Sequence, residues 1–309
     1  MKAFVLGVNG FLGSNLASEL LRRNVKVIGF GLKDPRNKVL RDHGVEMIEG
    51  DMLDITTLNL PFEGVDWVIH YASTTSPKES LLEPKKDSMN LTASRILFER
   101  AIKSRVRKIL FSSSGGTVYG DSPRVPATES DPVHSIIPYT KTKLAIEAEL
   151  LAMCQNTDTV PVVLRYSNPY GPNQYPAKGT GVITAWLEAV RDGRPIVLYG
   201  DGESARDYVY IDDAVQATVA ALESPRARGI YNIGTGTPTS LNELLALGPD
   251  QYQLYGIMLQ DLSKAEPARA ALMASLKERA QVFELSAEKA APAAGQAQAS
   301  TSSSSSGAA

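Results

Sequence analysis

The chain has 309 residues, 43% of them hydrophobic, and a formal net charge of -2. That length suits one large domain or two interlocked ones, and the near-neutral balance gives no reason to expect nucleic acid or an anionic membrane surface as a partner. The single cysteine, Cys154, excludes an intrachain disulfide framework, and the three scattered histidines have no zinc-ligand spacing.

No apolar run approaches the ~20 residues of a membrane span. The opening Met1-Lys2-Ala3-Phe4-Val5-Leu6-Gly7 is too short in its apolar part for a signal peptide. It reads instead as a first buried strand, and a cytoplasmic, reducing location is expected.

Taken in order, residues 3–8 predict a strand covered on both faces, followed by an amphipathic helix with Leu16, Leu20 and Leu21 inward. Further strands are expected at 25–30, 45–49, 66–71, 109–113 and 160–165, with helices between most of them, notably 90–103 and 139–154. Strands alternating with helices imply right-handed crossovers and a parallel sheet covered on both sides. The fold class is therefore α/β, a doubly wound parallel sheet of Rossmann type, with its ligand crevice at the carboxyl ends of the strands.

Beyond about residue 168 the pattern loosens. Helices near 181–192 and 212–223 and short strands near 196–199 and 230–233 predict a smaller, interleaved C-terminal substrate lobe. The expected organisation is a dinucleotide-binding domain over 1–167, the lobe over 168–264, an Ala-rich helix over 265–290 and a disordered tail over 291–309. The tail is almost entirely Ala, Gln, Ser and Gly, which cannot offset its ordering entropy by burial.

Two stretches carry chemistry. In Pro138-Tyr139-Thr140-Lys141-Thr142-Lys143, a helical conformation puts Tyr139 and Lys143 one turn apart on one face. A phenol titrates near ~10, too high for a base at neutral pH, and a nearby ammonium favours its phenolate. The pair is thus an acid/base unit suited to oxidising or reducing an alcohol.

In Gly7-Val8-Asn9-Gly10-Phe11-Leu12-Gly13, three glycines follow a strand and open a helix. They permit a tight turn, a close approach of pyrophosphate to backbone N–H groups, and close helix–strand packing. A ribose-binding acid is expected about twenty positions later. That position is Gly31, so the contact is either absent or displaced to Asp34. Lys33 and Arg36 lie near enough in sequence to suit a 2′-phosphate. NAD is the expected cofactor, with NADP the alternative.

Together the motifs resemble the extended short-chain dehydrogenases/reductases, and within them nucleotide-sugar epimerases of the UDP-glucose 4-epimerase type. The resemblance runs from residue 1 to about 245. It is carried by Gly7–Gly13, Gly50-Asp51-Met52, Asp66–Ala72, Asn90-Leu91-Thr92, Ser112–Gly120, Pro138–Lys143, Arg165–Pro172, Tyr199–Gly202 and Arg206–Asp213.

The resemblance implies that Gly7, Gly10, Phe11, Leu12 and Gly13 hold the cofactor, that Asp51 and Met52 meet its adenine, and that Tyr71, Ala72 and Ser73 line it. Asn90 would support that loop, and Ser167 would join the cofactor site. Tyr139 would be the general base and acid, with Lys143 lowering its pKa and binding the nicotinamide ribose. Asn168, Arg206 and Thr117 would contact the sugar nucleotide. The implied reaction is 4-epimerisation of a UDP-hexose through a transient 4-keto sugar, with a homodimer as the working state. An NADP-dependent carbonyl reductase, or an impaired nucleotide-binding relative, is the alternative.

Residues just before Val118 favour epimerisation, because dehydratases of this family place an acid where this chain has Thr117, preceded by Gly116. Three departures accompany the match. Gly115 falls where the family has its catalytic Ser/Thr, leaving Ser114 as the expected hydroxyl and Thr117 as the other candidate. No cation lies between Leu247 and Asp261, where a phosphate-gripping arginine is usual. Asp261-Leu262-Ser263-Lys264-Ala265 resembles a family helix start, but the usual terminal segment does not follow it.

Overall fold

The computed structural model describes residues 1–54, 60–120, 125–134, 137–175, 181–192, 194–198 and 200–247. The expected Ala-rich helix, the tail and the Asp261 motif lie outside the described residues.

In the first half, β1 (Lys2–Leu6), α1 (Phe11–Arg22), β2 (Lys26–Gly31), α2 (Asn37–Asp42) and β3 (Glu46–Glu49) alternate strand and helix. A single 3-10 turn, Met52–Asp54, leads on to β4 (Trp67–His70), α3 (Pro77–Leu82), α4 (Pro84–Lys103) and β5 (Lys108–Ser114). Then come the one-turn α5 (Gly115–Val118), α6 (Pro138–Met153), β6 (Val160–Tyr166), β7 (Asn168–Tyr170) and α7 (Val182–Arg191). The chain continues through β8 (Ala205–Tyr210), α8 (Ile211–Glu223), β9 (Gly229–Ile233), β10 (Pro238–Ser240) and α9 (Leu241–Ala246).

Seven strands form one parallel sheet in the order β3-β2-β1-β4-β5-β6-β9. Alternation along β1 divides the core. Ala3 and Val5 face a layer with Leu16 and Leu20 of α1 and Val215 and Val219 of α8. Phe4 and Leu6 face the opposite layer, with Leu97 and Phe98 of α4 and Ile146 and Leu150 of α6. Burying each such side chain contributes roughly 1.5–3 kcal/mol, so both faces of the sheet must be covered, as the near-continuous apolar strands require. The buried thiol of Cys154, just past α6, belongs to the second layer.

The smaller sheet, β10-β8-β7, has one antiparallel and one parallel pairing, and Tyr170, Ile183, Trp186 and Leu244 form its own core. Two expectations need correcting. Residues 230–233 belong to the main sheet, where β9 pairs with β6, because α8 packs beside α1 and returns the chain to that edge. Residues 196–198 form no strand; the Trp186 indole donates to the Val197 carbonyl at 3.2 Å instead.

Candidate active site

Parallel strands bring their carboxyl ends to one edge, so Gly7, Gly31, Tyr71, Ser114 and Ser167, each closing or following a strand, come together there. A cavity of 490 Å³ opens among Gly7, Asn9, Gly10, Gly31, Asp51 and Ala72, with Met52, Tyr71 and Ser73 also lining it.

Gly7 has φ of 84°, and a Cβ there would lie 2.8 Å from the Ala72 nitrogen. A Cβ on Gly13 would lie 2.8 Å from Val8 Cα. The turn therefore needs glycine at both places. α1 starts with no side-chain cap, and its first intrahelical bond is from Ser14 N to Gly10 O. The N–H groups of Phe11, Leu12 and Gly13 are left at the positive end of the helix, an arrangement that fits a pyrophosphate.

Other cofactor residues take more specific places. Asp51 accepts from Leu53 N at 2.9 Å through one carboxylate oxygen. Asn90, buried in α4, accepts from Thr74 N at 3.1 Å and Thr74 Oγ1 at 2.8 Å and donates to Thr75 Oγ1 at 3.2 Å. Its position pins the loop after β4. Tyr71 lines the cavity, but its hydroxyl lies in a buried cluster, 3.0 Å from Tyr166 OH and 3.1 Å from Thr218 Oγ1. Ser167 Oγ is buried with no hydrogen-bond partner among the described residues.

The expected displacement of the ribose acid to Asp34, and the use of Arg36 for a 2′-phosphate, both meet the same obstacle. Arg36 forks onto Asp34 at 2.8 and 2.7 Å and lies 4.7 Å over the Tyr175 ring.

Tyr139 sits in the first turn of α6, half-buried, and Lys143 is buried one turn later. The Lys143 Nζ donates to the Ser112 carbonyl at 2.9 Å and lies 4.8 Å from the Phe111 ring centre and 5.6 Å from that of Tyr139. Burial pulls the Lys143 pKa down to about 8, opposed by Glu147 and Asp87. Burial also pushes Tyr139 up to about 12, with the Asp87 charge adding to it. In the protein alone, therefore, Lys143 does not bring the phenol into the working range expected of it; desolvation wins.

β5 ends at Ser114, which faces Tyr166 in register, and Gly115 begins the α5 turn. A Cβ at Gly115 would lie 2.9 Å from the Arg165 carbonyl oxygen, so that position cannot carry the family hydroxyl without displacing backbone. Strand alternation stops at Ser114. Thr117 Oγ1 is buried without a partner among the described residues. A Cβ on Gly116 would lie 3.6 Å from Asn168 Oδ1, so α5 abuts the second cavity.

That second cavity, of 280 Å³, is lined by Asn168, Tyr170, Ser204, Arg206 and Tyr208 among others. Asn168 donates to the Asp207 carbonyl at 3.0 Å. Asp207 spends its carboxylate on Thr235 and Gly236, so it does not neutralise Arg206. The exposed Arg206 guanidinium donates to the Ala205 carbonyl and forms no ion pair among the described residues.

Three features escaped the sequence. Asn9 lies between the glycines. Asp87 is buried and accepts from Thr75 Oγ1 at 2.6 Å and from Ser80 Oγ. A buried Arg165–Glu147 pair, joined by Tyr119 OH, stands behind Lys143. Asn9, Tyr119 and Arg165 lay inside recognised motifs, but none of the motifs showed these contacts.

A profile of the NAD dependent epimerase/dehydratase family matches residues 3–234. A UDP-glucose 4-epimerase of Mycolicibacterium smegmatis is 34% identical over 278 residues, which cover 86% of this chain and 89% of that protein. The crystal structure of a Thermotoga maritima UDP-glucose 4-epimerase with UDP-glucose is similar, with a TM-score of 0.72 at 33% identity over 79% of this chain and 80% of that one. The Thermus thermophilus UDP-glucose 4-epimerase complex with NAD gives 0.73 at 33% identity, over 80% and 81%.

Proposed function

The chain belongs to the NAD dependent epimerase/dehydratase family, as an NAD-dependent epimerase of the extended short-chain dehydrogenase/reductase type, and from that premise we propose that it interconverts a UDP-hexose with its 4-epimer. The observation that carries this reading is the buried Lys143 ammonium, anchored on the Ser112 carbonyl and 5.6 Å from the Tyr139 ring, next to a β5–α5 turn that holds no carboxylate. Such a turn lacks the acid that an elimination requires, and leaves a proton and hydride exchange at one carbinol carbon.

Bound NAD supplies the hydride acceptor and donor. The protein does the rest. Tyr139 would take the proton of the sugar C4 hydroxyl as C4 is oxidised, and return it when C4 is reduced on its opposite face. Ser114 Oγ–H donates to the same sugar oxygen and steadies its developing charge. Lys143, with Nζ protons left over from its bond to the Ser112 carbonyl, would hold the nicotinamide ribose. Asn168 and Arg206 hold the nucleotide diphosphate; a guanidinium fork matches phosphate oxygens. Thr117 Oγ1, which has no partner among the described residues, would bind a sugar hydroxyl.

Gly7, Gly10, Phe11, Leu12 and Gly13 would cradle the pyrophosphate, Asp51 and Met52 would meet the adenine, and Ser167 would complete the cofactor site. The β7–β8–β10 sheet with α7 forms the substrate lobe. The outer faces of α4 and α6 are the proposed homodimer contact, and a reducing cytoplasm suits the lone thiol.

The test is incubation of the purified chain with UDP-glucose, UDP-galactose and their N-acetyl forms, with products separated by chromatography. Interconversion without added cofactor turnover is expected. Cofactor bound but no interconversion of any of the four would refute the assignment.

A further inference from the structure

An amide occupies the space where an acid at the end of β2 would stand. Gly31 lines the nucleotide cavity, and a Cβ built on it would lie 2.8 Å from Asn9 Cγ, with Oδ1 closer still. The Asn9 side chain and a side chain at position 31 therefore exclude one another.

The orientation of Asn9 is fixed by groups that can only accept. Its Nδ2 donates to the Leu32 carbonyl at 2.8 Å and to Asn37 Oδ1 at 3.1 Å. Asn37 is fully buried, and its own Nδ2 is committed to the Leu32 carbonyl at 3.0 Å and Glu49 Oε1 at 3.1 Å. Its amide cannot flip without losing both bonds, which keeps Oδ1 turned to Asn9. Asn9 Oδ1 is consequently directed over Gly31, on the cavity side, with no hydrogen-bond donor among the described residues.

We propose that Asn9 Oδ1 is the acceptor for the adenosine ribose hydroxyls of NAD in this chain, and that residue 31 is glycine because the amide fills its place. The inference rests on NAD being the cofactor. A carboxylate at the end of β2 does two things: it accepts from the ribose hydroxyls, and its charge repels a 2′-phosphate. The amide oxygen keeps the first role and gives up the second. Discrimination against NADP then rests on space, since Arg36 is tied to Asp34 and stacked on Tyr175, while Lys33 is exposed and forms no ion pair among the described residues.

The experiment measures binding of three ligands to the full chain by calorimetry: NAD, NADP, and NAD lacking the 2′-hydroxyl of its adenosine ribose. Wild type is expected to bind the deoxy form about three- to tenfold more weakly than NAD, the worth of one hydrogen bond. Asn9→Ala should bind NAD that much more weakly, and should no longer distinguish it from the deoxy form. A structural defect alone would weaken both ligands in parallel and keep their ratio.

Gly31→Asp should weaken NAD while Asn9 is present. The double change Asn9→Gly with Gly31→Asp should recover NAD affinity and raise the NAD:NADP preference about tenfold or more, as charge repulsion returns. The proposal is overturned if Asn9→Ala keeps the wild-type discrimination against the deoxy form, or if Gly31→Asp alone tightens NAD. Wild type that binds NAD but fails these comparisons refutes the Asn9 role only. Wild type that binds no NAD refutes the cofactor reading along with it.

Discussion

Lys143 should be a residue that the fold would be more stable without. It is buried, and burial brings its pKa from the ordinary 10.5 to about 8. At pH 7 it remains charged in the folded protein, so the interval between those values is a cost of folding. At ~1.36 kcal/mol per pH unit the cost is about 3 kcal/mol. Replacement by methionine, similar in length and uncharged, removes it. The loss of the bond to the Ser112 carbonyl gives back about 1–1.5 kcal/mol. Lys143→Met should therefore unfold at higher urea, with a gain of about 1–2 kcal/mol, while losing epimerase activity.

The pH dependence is a stricter check. Because the folded pKa lies below the unfolded one, the cost is fully present below pH 8 and is relieved as pH rises from 8 to 10.5. The stability advantage of the variant should shrink over that window. Urea melts at pH 7, 9 and 10 measure it. A variant less stable than wild type at pH 7, or an advantage constant with pH, would refute the reasoning.

Other changes probe the remaining parts. Tyr139→Phe should lower kcat by about 10²–10⁴-fold, the range for removing a general acid/base, with NAD binding retained in calorimetry. Ser114→Ala should fall the same way in kcat, whereas Thr117→Ala should act mainly on KM. Arg206→Ala should raise KM for the nucleotide sugar by about 10- to 100-fold, the worth of a charged hydrogen bond, in steady-state assays. Glu147→Ala leaves the buried Arg165 charge unpaired and should destabilise the fold by about 3–5 kcal/mol in urea melts.

His70 is buried between Phe98 and Phe111, and burial holds its pKa down to about 3, below the usual 6.5. The unfolded chain takes up its proton first, so stability should fall as pH drops from 6.5 towards 3. His70→Gln should flatten that part of the acid-stability curve.

Much of this molecule was legible in its sequence, for physical reasons that differ between parts. β1, β4, β5 and β6 are covered on both faces, so their apolar runs are nearly unbroken and announce themselves. β7 and β10 have three residues each and β8 carries Arg206, Asp207 and two tyrosines, a mixture in which neither period two nor a run stands out. The apolar Ile196-Val197-Leu198 misled in the opposite sense, because a strand needs a partner and here an indole took the carbonyl. The tyrosine–lysine pair was readable because a helix converts spacing directly into proximity.

Asp87 and Glu147 were not readable, since a charge on a helix looks like a solvated one until tertiary structure buries it, and the partner of Arg165, at the end of a strand covered on both faces, could not be named. Asn9 escaped for a related reason. Its importance comes from the missing side chain of Gly31, on another strand, and no local pattern links the two.

These unread charges also explain how the acid/base pair is poised. Without them Lys143 would lose its proton more easily still, because Glu147 and Asp87 are what oppose the effect of burial. Glu147 is itself held by Arg165, so its help to Lys143 is partly neutralised. Asp87 acts on both members of the pair. It favours the lysine ammonium, and it disfavours the Tyr139 phenolate. The protein alone thus keeps the lysine mostly charged at neutral pH and the tyrosine firmly protonated. That is the right state for an acid and the wrong one for a base.

In the proposed reaction NAD would bring a positive charge next to this phenol, since the oxidised nicotinamide is a cation whereas the reduced form is not. The basicity of Tyr139 would then follow the redox state of the cofactor in that reaction: a base when hydride is to be removed, an acid when it is to be returned. Burial of Tyr139, which opposes ionisation in the protein alone, makes that response larger, because a charge acts most strongly where water is excluded.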